Sequence, residues 1–501
     1  MLARLPAGKY HPSHPSRCRC RTTFFLNRGG GTVSSISVYL LALLYFAPAS
    51  FSVYHILLYK RDSRAAMGWI MACLFIPYGG PVAYFFFGIN RVRTRARGMR
   101  RRLFNIEYET VTFESPAPVD YGEGLAAIGY RVTGTPLTAG NSVETYYNGE
   151  EAYPAMIAAI DEARHRILLT TYILKTDRIG SAFGDALAAA VERNVDVRVL
   201  VDGIGELYAW PRPSRRLRRR GISVARFLPP KLLPPSMYIN LRNHRKLLVV
   251  DEAIAFAGGM NISDDHTSFA DHPRKISDIH FRFCGPVTAD LAKIFFDDWE
   301  FATRDSRHEN QPPVPASHGI TRCRVIPDGP DDALDALSLT IQSVIAAASR
   351  SVDIMTPYFL PSRELIASLQ SATLRGVRVR VILPGKNNLF YVHWANRNIL
   401  AELLKWHIEA FYQPAPFCHS KLLCVDQEYC MVGSANLDPR SLRLNFELGI
   451  EIFSAPLTSE LRSHFETTLA SSTRITPGEL ADRSVPVRLR DSFVSLFAPY
   501  L

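Results

Sequence analysis

Residues 243–251 and 418–426 repeat one pattern. The first copy reads Asn243-His244-Arg245-Lys246-Leu247-Leu248-Val249-Val250-Asp251 and is followed by Gly258-Gly259-Met260-Asn261. The second reads Cys418-His419-Ser420-Lys421-Leu422-Leu423-Cys424-Val425-Asp426 and is followed by Gly433-Ser434-Ala435-Asn436. A shuffled chain of this composition would hold about 0.014 HxKxxxxD matches, so two copies with a shared trailing GxxN are not coincidence. The apolar run after each lysine reads as a buried strand, on which side chains alternate faces. His244 and Lys246 then share a face, as do His419 and Lys421. Asp251 and Asp426 have the opposite parity and fall at the strand end, which points to a structural or orienting role.

The duplication extends well beyond the motif. From about residue 140, amphipathic helical stretches alternate with β-rich runs, the mark of an α/β fold. Glu151 to Arg164 reads as a helix before the strand Ile167 to Ile173; Ile341 to Ala348 precedes Val352 to Phe359 in the same way. Val195 to Gly203 is matched by Val377 to Gly385. Equivalent positions lie 186 apart at Tyr172 and Tyr358, 182 at Val195 and Val377, and 175 at His244 and His419. Small drifts of this kind mean a duplicated domain with loop insertions, not a solenoid. Residues 103–304 and 322–501 are the expected α/β domains, related by a pseudo-twofold, with Pro-rich residues 305–321 as linker.

Residue type says what two such copies can do. A neutral histidine is a nucleophile at phosphorus and a charged one a proton donor, and an ordinary pKa near 6.5 allows both near neutral pH. A pseudo-twofold would bring His244 and His419 to opposite sides of one phosphate, one attacking and the other protonating the leaving alcohol. Lys246, Lys421, Asn261 and Asn436 would hold the phosphoryl oxygens. Asp278 and Glu447, at equivalent places in the repeats, are expected to orient the histidines from behind. The scheme requires no metal and no cofactor. The chain has no GxxxxGK[ST] loop, and its eight cysteines show no CxxC or zinc spacing and read as free thiols.

The net charge of +11 suggests a nucleic-acid partner until it is located. Residues 1–102 hold 16 Lys+Arg against one acid, Asp62; the other 399 residues carry 42 Lys+Arg and 46 Asp+Glu. The excess lies beside apolar segments, so its expected partner is a membrane surface, and a polyanion groove is disfavoured. Residues 1–33 read as a basic cytoplasmic tail, with a transit peptide as the alternative. Residues 34–90 are expected to form a two-helix transmembrane hairpin. Its first segment is Ser37 to Tyr59; its second, Trp69 to Phe87, contains Pro77, Gly79, Gly80 and Pro81 and is either a kinked span or a re-entrant segment. Lys+Arg counts of six, three and seven before, between and after the segments place both ends in the cytoplasm. A signal-peptidase site at Ala47-Pro48-Ala49 is the rival reading. Arg212 to Arg220 holds six arginines in nine residues, either a solvated face or an anionic-lipid contact.

The paired motif resembles that of the phospholipase D superfamily. That resemblance implies metal-independent phosphodiester transfer through a covalent phosphohistidine, with His244, Lys246, Asp251, His419, Lys421 and Asp426 as the catalytic set. Beyond residue 36 the chain is similar to bacterial cardiolipin synthases of the phospholipase D type. The resemblance rests on Pro77 to Pro81 and Tyr84 to Arg91, on Leu241 to Lys246, on Gly433 to Glu447, and on the final Leu496 to Leu501. The tail 1–33 and Pro414 to Cys418 depart from that family. The family reaction joins two phosphatidylglycerols and releases glycerol. The resemblance therefore implies phosphatidylglycerol and other anionic phospholipids as partners, at the cytoplasmic membrane of a bacterium. No nucleic acid or obligate protein partner is expected. A lipid hydrolase of the same fold, a phosphodiester nuclease and a non-catalytic scaffold are the competing readings; the scaffold would be expected to have lost a motif His or Lys.

Overall fold

A computed structural model describes residues 35–60, 63–76, 78–88, 121–230, 241–267, 275–305, 315–330 and 335–498. The expected tail, residues 1–33, and the centre of the expected linker, residues 306–314, lie outside them. The chain divides into two compact units, Met1–Asn90 and Arg91–Leu501.

In the first unit a helix, Ser35–Tyr59, packs on a second, Ser63–Phe75. Ile56, Cys73 and Tyr84 are buried between them, with Trp69 and Ile70 alongside. The hairpin is thus present, but its transmembrane character is not carried over. Among the described residues, no helix is long and apolar enough to cross a membrane. The second apolar run is broken: it stops being one helix at Phe75 and resumes as Gly79–Ala83 and a wider turn, Tyr84–Gly88. Thirteen residues span about 20 Å, short of a hydrocarbon core of about 30 Å. Gly80 permits the tight reversal, because a Cβ there would stand 2.0 Å from the Ala72 carbonyl oxygen.

In the second unit the first repeat forms β1 (Thr138–Tyr147), β2 (Arg166–Thr171), β3 (Asp196–Asp202), β4 (Ser223–Phe227), β5 (Leu247–Val250), β6 (Ile254–Gly258), β7 (Ile276–Ser277) and β8 (Ile279–Cys284). The second forms β9 (Thr321–Asp328), β10 (Ser351–Met355), β11 (Arg378–Pro384), β12 (Glu409–Gln413), β13 (Phe417–Cys418), β14 (Leu422–Val425), β15 (Tyr429–Gly433), β16 (Glu447–Phe453) and β17 (Thr473–Arg474). Fifteen of these make one mixed sheet, ordered β17-β12-β11-β10-β14-β15-β16-β9-β1-β8-β6-β5-β2-β3-β4. Apart from the added β17 the order is a palindrome about the antiparallel β9–β1 contact, where Thr138 faces Cys323.

The apolar runs are nearly continuous because both faces of the sheet are covered. In β2 and β3, Ile167, Leu169, Val199 and Val201 face a core belonging to the first repeat, while Leu168 and Leu200 face another. That other core is shared. It is filled by Phe295 and Trp299 of helix Val287–Thr303 and by Leu461 and Phe465 of helix Ala455–Ala470, with strand residues from both repeats. Neither repeat can bury its inner face alone.

Candidate active site

Both motif strands begin one residue after the lysine, at Leu247 and Leu422. The His and Lys therefore occupy the short lead-in to each strand, and that lead-in is held by the other repeat. The His244 N–H donates to Phe446 O (2.9 Å) and the Phe446 N–H to Arg242 O (2.8 Å). Symmetrically, β13 pairs in parallel with β7, and the His419 N–H donates to Ser277 O (2.7 Å). Each histidine is thereby set beside the residue that follows the clamping strand in the opposite repeat. His244 Nδ1 lies 3.0 Å from both carboxylate oxygens of Glu447, and His419 Nδ1 lies 2.9 Å from Asp278 Oδ2.

Nδ1–H bound to a carboxylate leaves Nε2 as the nitrogen that carries a lone pair. Burial drives both imidazoles down from 6.5, to about 4 at His244, where Glu447 opposes the fall, and to about 3 at His419. Both are neutral near pH 7. Burial would raise the carboxyl pKa values, but His244 and Lys246 outweigh it at Glu447, and His419 and Lys421 at Asp278, so both acids are held below the usual range. Lys246 Nζ donates to His244 O (2.6 Å) and Lys421 Nζ to His419 O (2.5 Å). The same local geometry is thus built twice. Burial lowers both ammonium groups, Lys421 to about 8. Lys421 also depresses His244, and Lys246 depresses His419, so the two motifs share one electrostatic site.

The halves are not equal. Glu447 also accepts from Ser434 Oγ (2.6 Å) and Asn445 Nδ2 (3.1 Å). The equivalent positions are Gly259 and Ile276. A Cβ at Gly259 would lie 2.6 Å from the Asp278 carboxylate, so the GG and GS variants of the trailing motif fit a short acid and a long one. His266 and His280 lie near Asp278, both fully buried and lowered to about 4 by burial. His266 stacks edge-on to His419 at 6.2 Å. Sequence reasoning missed these two; the available signal was Asp278-Ile279-His280, two residues apart and hence on one strand face. It also treated Tyr172 only as a marker of the repeat, whereas its ring packs edge-on against His244 at 5.2 Å.

Asp251 and Asp426 lie apart from the histidines and lysines of their motifs in the hydrogen bonds they make. They close the far ends of β5 and β14. Asp251 accepts the backbone N–H groups of Arg164 (2.8 Å), His165 (2.7 Å) and Arg166 (2.7 Å). Asp426 accepts those of Ser349 (2.9 Å), Arg350 (2.7 Å) and Ser351 (2.9 Å). Both anchor the start of the neighbouring strand, as their parity requires. Asn261 Oδ1 accepts from Ile173 N (3.2 Å) and Asn436 Nδ2 donates to Ser441 Oγ (3.2 Å), so both brace loops at the site. Among the described residues no group of three or more His, Cys, Asp or Glu could hold a metal ion.

A site made of two histidine–carboxylate pairs, with a lysine beside each, is equipped for nucleophilic and acid–base work on a phosphodiester. The family model described as "Cardiolipin synthase, PLD-like domain" matches residues 156–272 and 341–469, one match in each repeat, and "Phospholipase_D-nuclease N-terminal" matches 47–88. The major cardiolipin synthase ClsA of Bacillus subtilis is 30% identical over 93% of this chain and 100% of its own length. Cardiolipin synthase A of Pseudomonas aeruginosa is 34% identical over 84% of this chain and 88% of its own. A phosphatidylserine synthase structure from Haemophilus influenzae shares the fold, with a TM-score of 0.60 at 15% identity over 76% of this chain and 100% of its own. The chain belongs to the cardiolipin synthase family of the phospholipase D superfamily.

Proposed function

We propose that this protein is a membrane-associated phosphatidyltransferase that makes cardiolipin from two molecules of phosphatidylglycerol. The observation that carries the reading is the reciprocal pairing of His244 with Glu447 and His419 with Asp278. Each repeat supplies the histidine that the other orients, which supports one histidine attacking a phosphorus atom while the other serves as its acid.

In the first step Nε2 of one histidine attacks the phosphorus of a bound phosphatidylglycerol. The bond to the head-group glycerol breaks, and the other imidazole, once protonated, delivers its proton to the departing oxygen. A phosphatidyl-histidine remains. In the second step a head-group hydroxyl of another phosphatidylglycerol gives its proton back to that imidazole and attacks phosphorus, freeing the first histidine and forming cardiolipin. One phosphodiester replaces another, so no activated donor is consumed. Lys246 and Lys421 offset the charge that builds on the phosphoryl oxygens. Water must be kept from the intermediate, or the product is phosphatidic acid.

The domain bounds 103–304 and 322–501 and the catalytic roles of His244, Lys246, His419 and Lys421 belong to this proposal. So does a hairpin that holds the enzyme in the cytoplasmic membrane of a bacterium, with the catalytic repeats inside. The run of basic residues from Arg91 to Arg102 supports that orientation. Membranes containing the protein, given head-group-labelled phosphatidylglycerol and excess chelator, should yield cardiolipin and glycerol in equal amounts. His244→Ala and His419→Ala should each abolish both products. Phosphatidic acid in place of cardiolipin would make the enzyme a hydrolase.

A further inference from the structure

The C-terminal helix Val485–Ser495 shows a face that nothing among the described residues covers. Val485 (65% exposed), Leu489 (66%), Phe493 (63%) and Leu496 (71%) recur at spacings of four, four and three, one stripe along the helix and the turn after it. The helix is not a frayed end. Its opposite face buries Asp491, which pairs with Arg483 Nη1 (2.6 Å), Arg490 Nη2 (2.7 Å) and Arg397 Nη1 (3.5 Å). Asn398 Nδ2 donates to Ser492 Oγ (3.1 Å), and the Arg490 guanidinium lies 4.0 Å from the Trp394 ring centre. A helix fixed this firmly holds its apolar stripe outward.

The inner side of the same helix leads toward the site. Val494 and Ala498 pack beside Tyr358 in the cluster around Leu360 and Val392. The Tyr358 ring lies 6.2 Å from Phe417, which lies 6.1 Å from His419. The first repeat has a counterpart: Tyr208 is exposed, its ring lies 6.3 Å from Tyr172, and Tyr172 lies 5.2 Å from His244. Exposed Trp210 stands two residues beyond Tyr208. His244 is thus linked through Tyr172 to an exposed ring, and His419 through Phe417 and Tyr358 to the inner side of the helix that carries the stripe. Cations border the exposed side chains, with Arg488 exposed on the helix and Arg215 and Arg219 exposed just after Trp210.

We propose that the helix Val485–Ser495, together with Tyr208 and Trp210, docks on an anionic lipid bilayer and sets the mouth of the site at the head-group boundary. Apolar side chains that enter the acyl region, bordered by arginines that meet anionic head groups, are the chemistry of an interfacial helix. The proposal rests on the lipid-substrate reading above and adds how a diacyl substrate reaches the histidines without leaving the bilayer.

The test uses the full chain in vesicles of phosphatidylglycerol and phosphatidylethanolamine containing a phospholipid with a diazirine at its acyl end. After irradiation, lipid adducts are expected on residues 485–497. The variant Leu489→Ser/Phe493→Ser should lose those adducts. Its turnover of bilayer phosphatidylglycerol should fall about tenfold or more, with turnover of monomeric short-chain phosphatidylglycerol unchanged. Adducts elsewhere with none on 485–497 would overturn the proposal. So would an equal loss on both substrate forms, or cross-links from this helix to a second copy or to residues 35–88. Labelling requires no turnover: adducts on 485–497 without cardiolipin would sink the functional reading and leave the docking surface standing.

Discussion

His244 hydrogen-bonds at 3.0 Å to Glu447, a residue 203 positions later that belongs to the opposite repeat. His419 makes the same bond backwards along the chain to Asp278, 141 positions earlier. Neither repeat holds a complete histidine–carboxylate pair. The site exists only because β7 runs beside β13 and Phe446 lies beside Asn243. Duplication followed by exchange of acids makes the two histidines interdependent.

Glu447→Gln and Asp278→Asn keep the shape of the acceptors and remove the charge that holds the imidazole tautomer. Each is expected to lower turnover by about 10²–10⁴-fold with little change in KM. Steady-state assays on labelled phosphatidylglycerol check this. Activity within threefold of the parent in both variants would reject an orienting role.

Asp251→Asn and Asp426→Asn should act on stability and leave the chemistry alone. Each carboxylate accepts three backbone N–H groups, and an amide oxygen is the weaker acceptor, so a loss of about 2–3 kcal/mol is expected. Both positions have positive φ, 50° and 51°, which Asn tolerates, so backbone strain adds little. Denaturant midpoints should fall while turnover per folded molecule stays near the parent value.

Arg245 joins the repeats from inside. Its Nε donates to Glu447 O (2.9 Å), Nη1 to Asp298 (2.5 Å) and Nη2 to Asp328 O (3.2 Å). Arg245→Met leaves Asp298 buried without its counter-charge and should cost about 3–5 kcal/mol. The double variant Arg245→Met/Asp298→Leu should recover part of that loss in the same denaturation experiment.

Stability should fall as the solution is acidified from pH 7 toward 4. His244, His266 and His280 are pushed from 6.5 to about 4, and His419 to about 3. Between those values the unfolded chain binds protons that the folded chain refuses, so the slope of stability with pH is positive across that window. His280→Gln removes one such group without touching the motif. Its thermal midpoint should depend less on pH over pH 4–6.5.

Binding of a phosphate analogue such as tungstate at pH 7 should take up a proton. Both imidazoles are neutral in the free site, and an anion beside them favours the charged form. Calorimetric titration in buffers of different ionisation enthalpy measures the uptake. A value of zero would argue against an imidazolium as the proton donor to the leaving group.

Much of this protein is written in local spacing. The repeat, the alternating strands and helices, the shared face of each His–Lys pair and the opposite parity of Asp251 and Asp426 follow from the periods of strand and helix, which depend on neighbours in sequence. The break in the second apolar run was also visible, in Pro77, Gly79 and Gly80. Its consequence, a 13-residue helix too short to span, came from where the backbone turned. Other features had no local signature. Asp278 and Glu447 could be singled out by equivalence, but which histidine each serves depends on strands that meet across the pseudo-twofold. The burial of His266 and His280 beside Asp278, and the extra donors Ser434 and Asn445 on Glu447 alone, arise from packing between elements far apart in the chain. By itself the sequence determined the two half-sites, because a strand's period is a property of neighbouring residues. Tertiary structure alone decided how they combine, because neither half can bury its inner face or orient its histidine without the other.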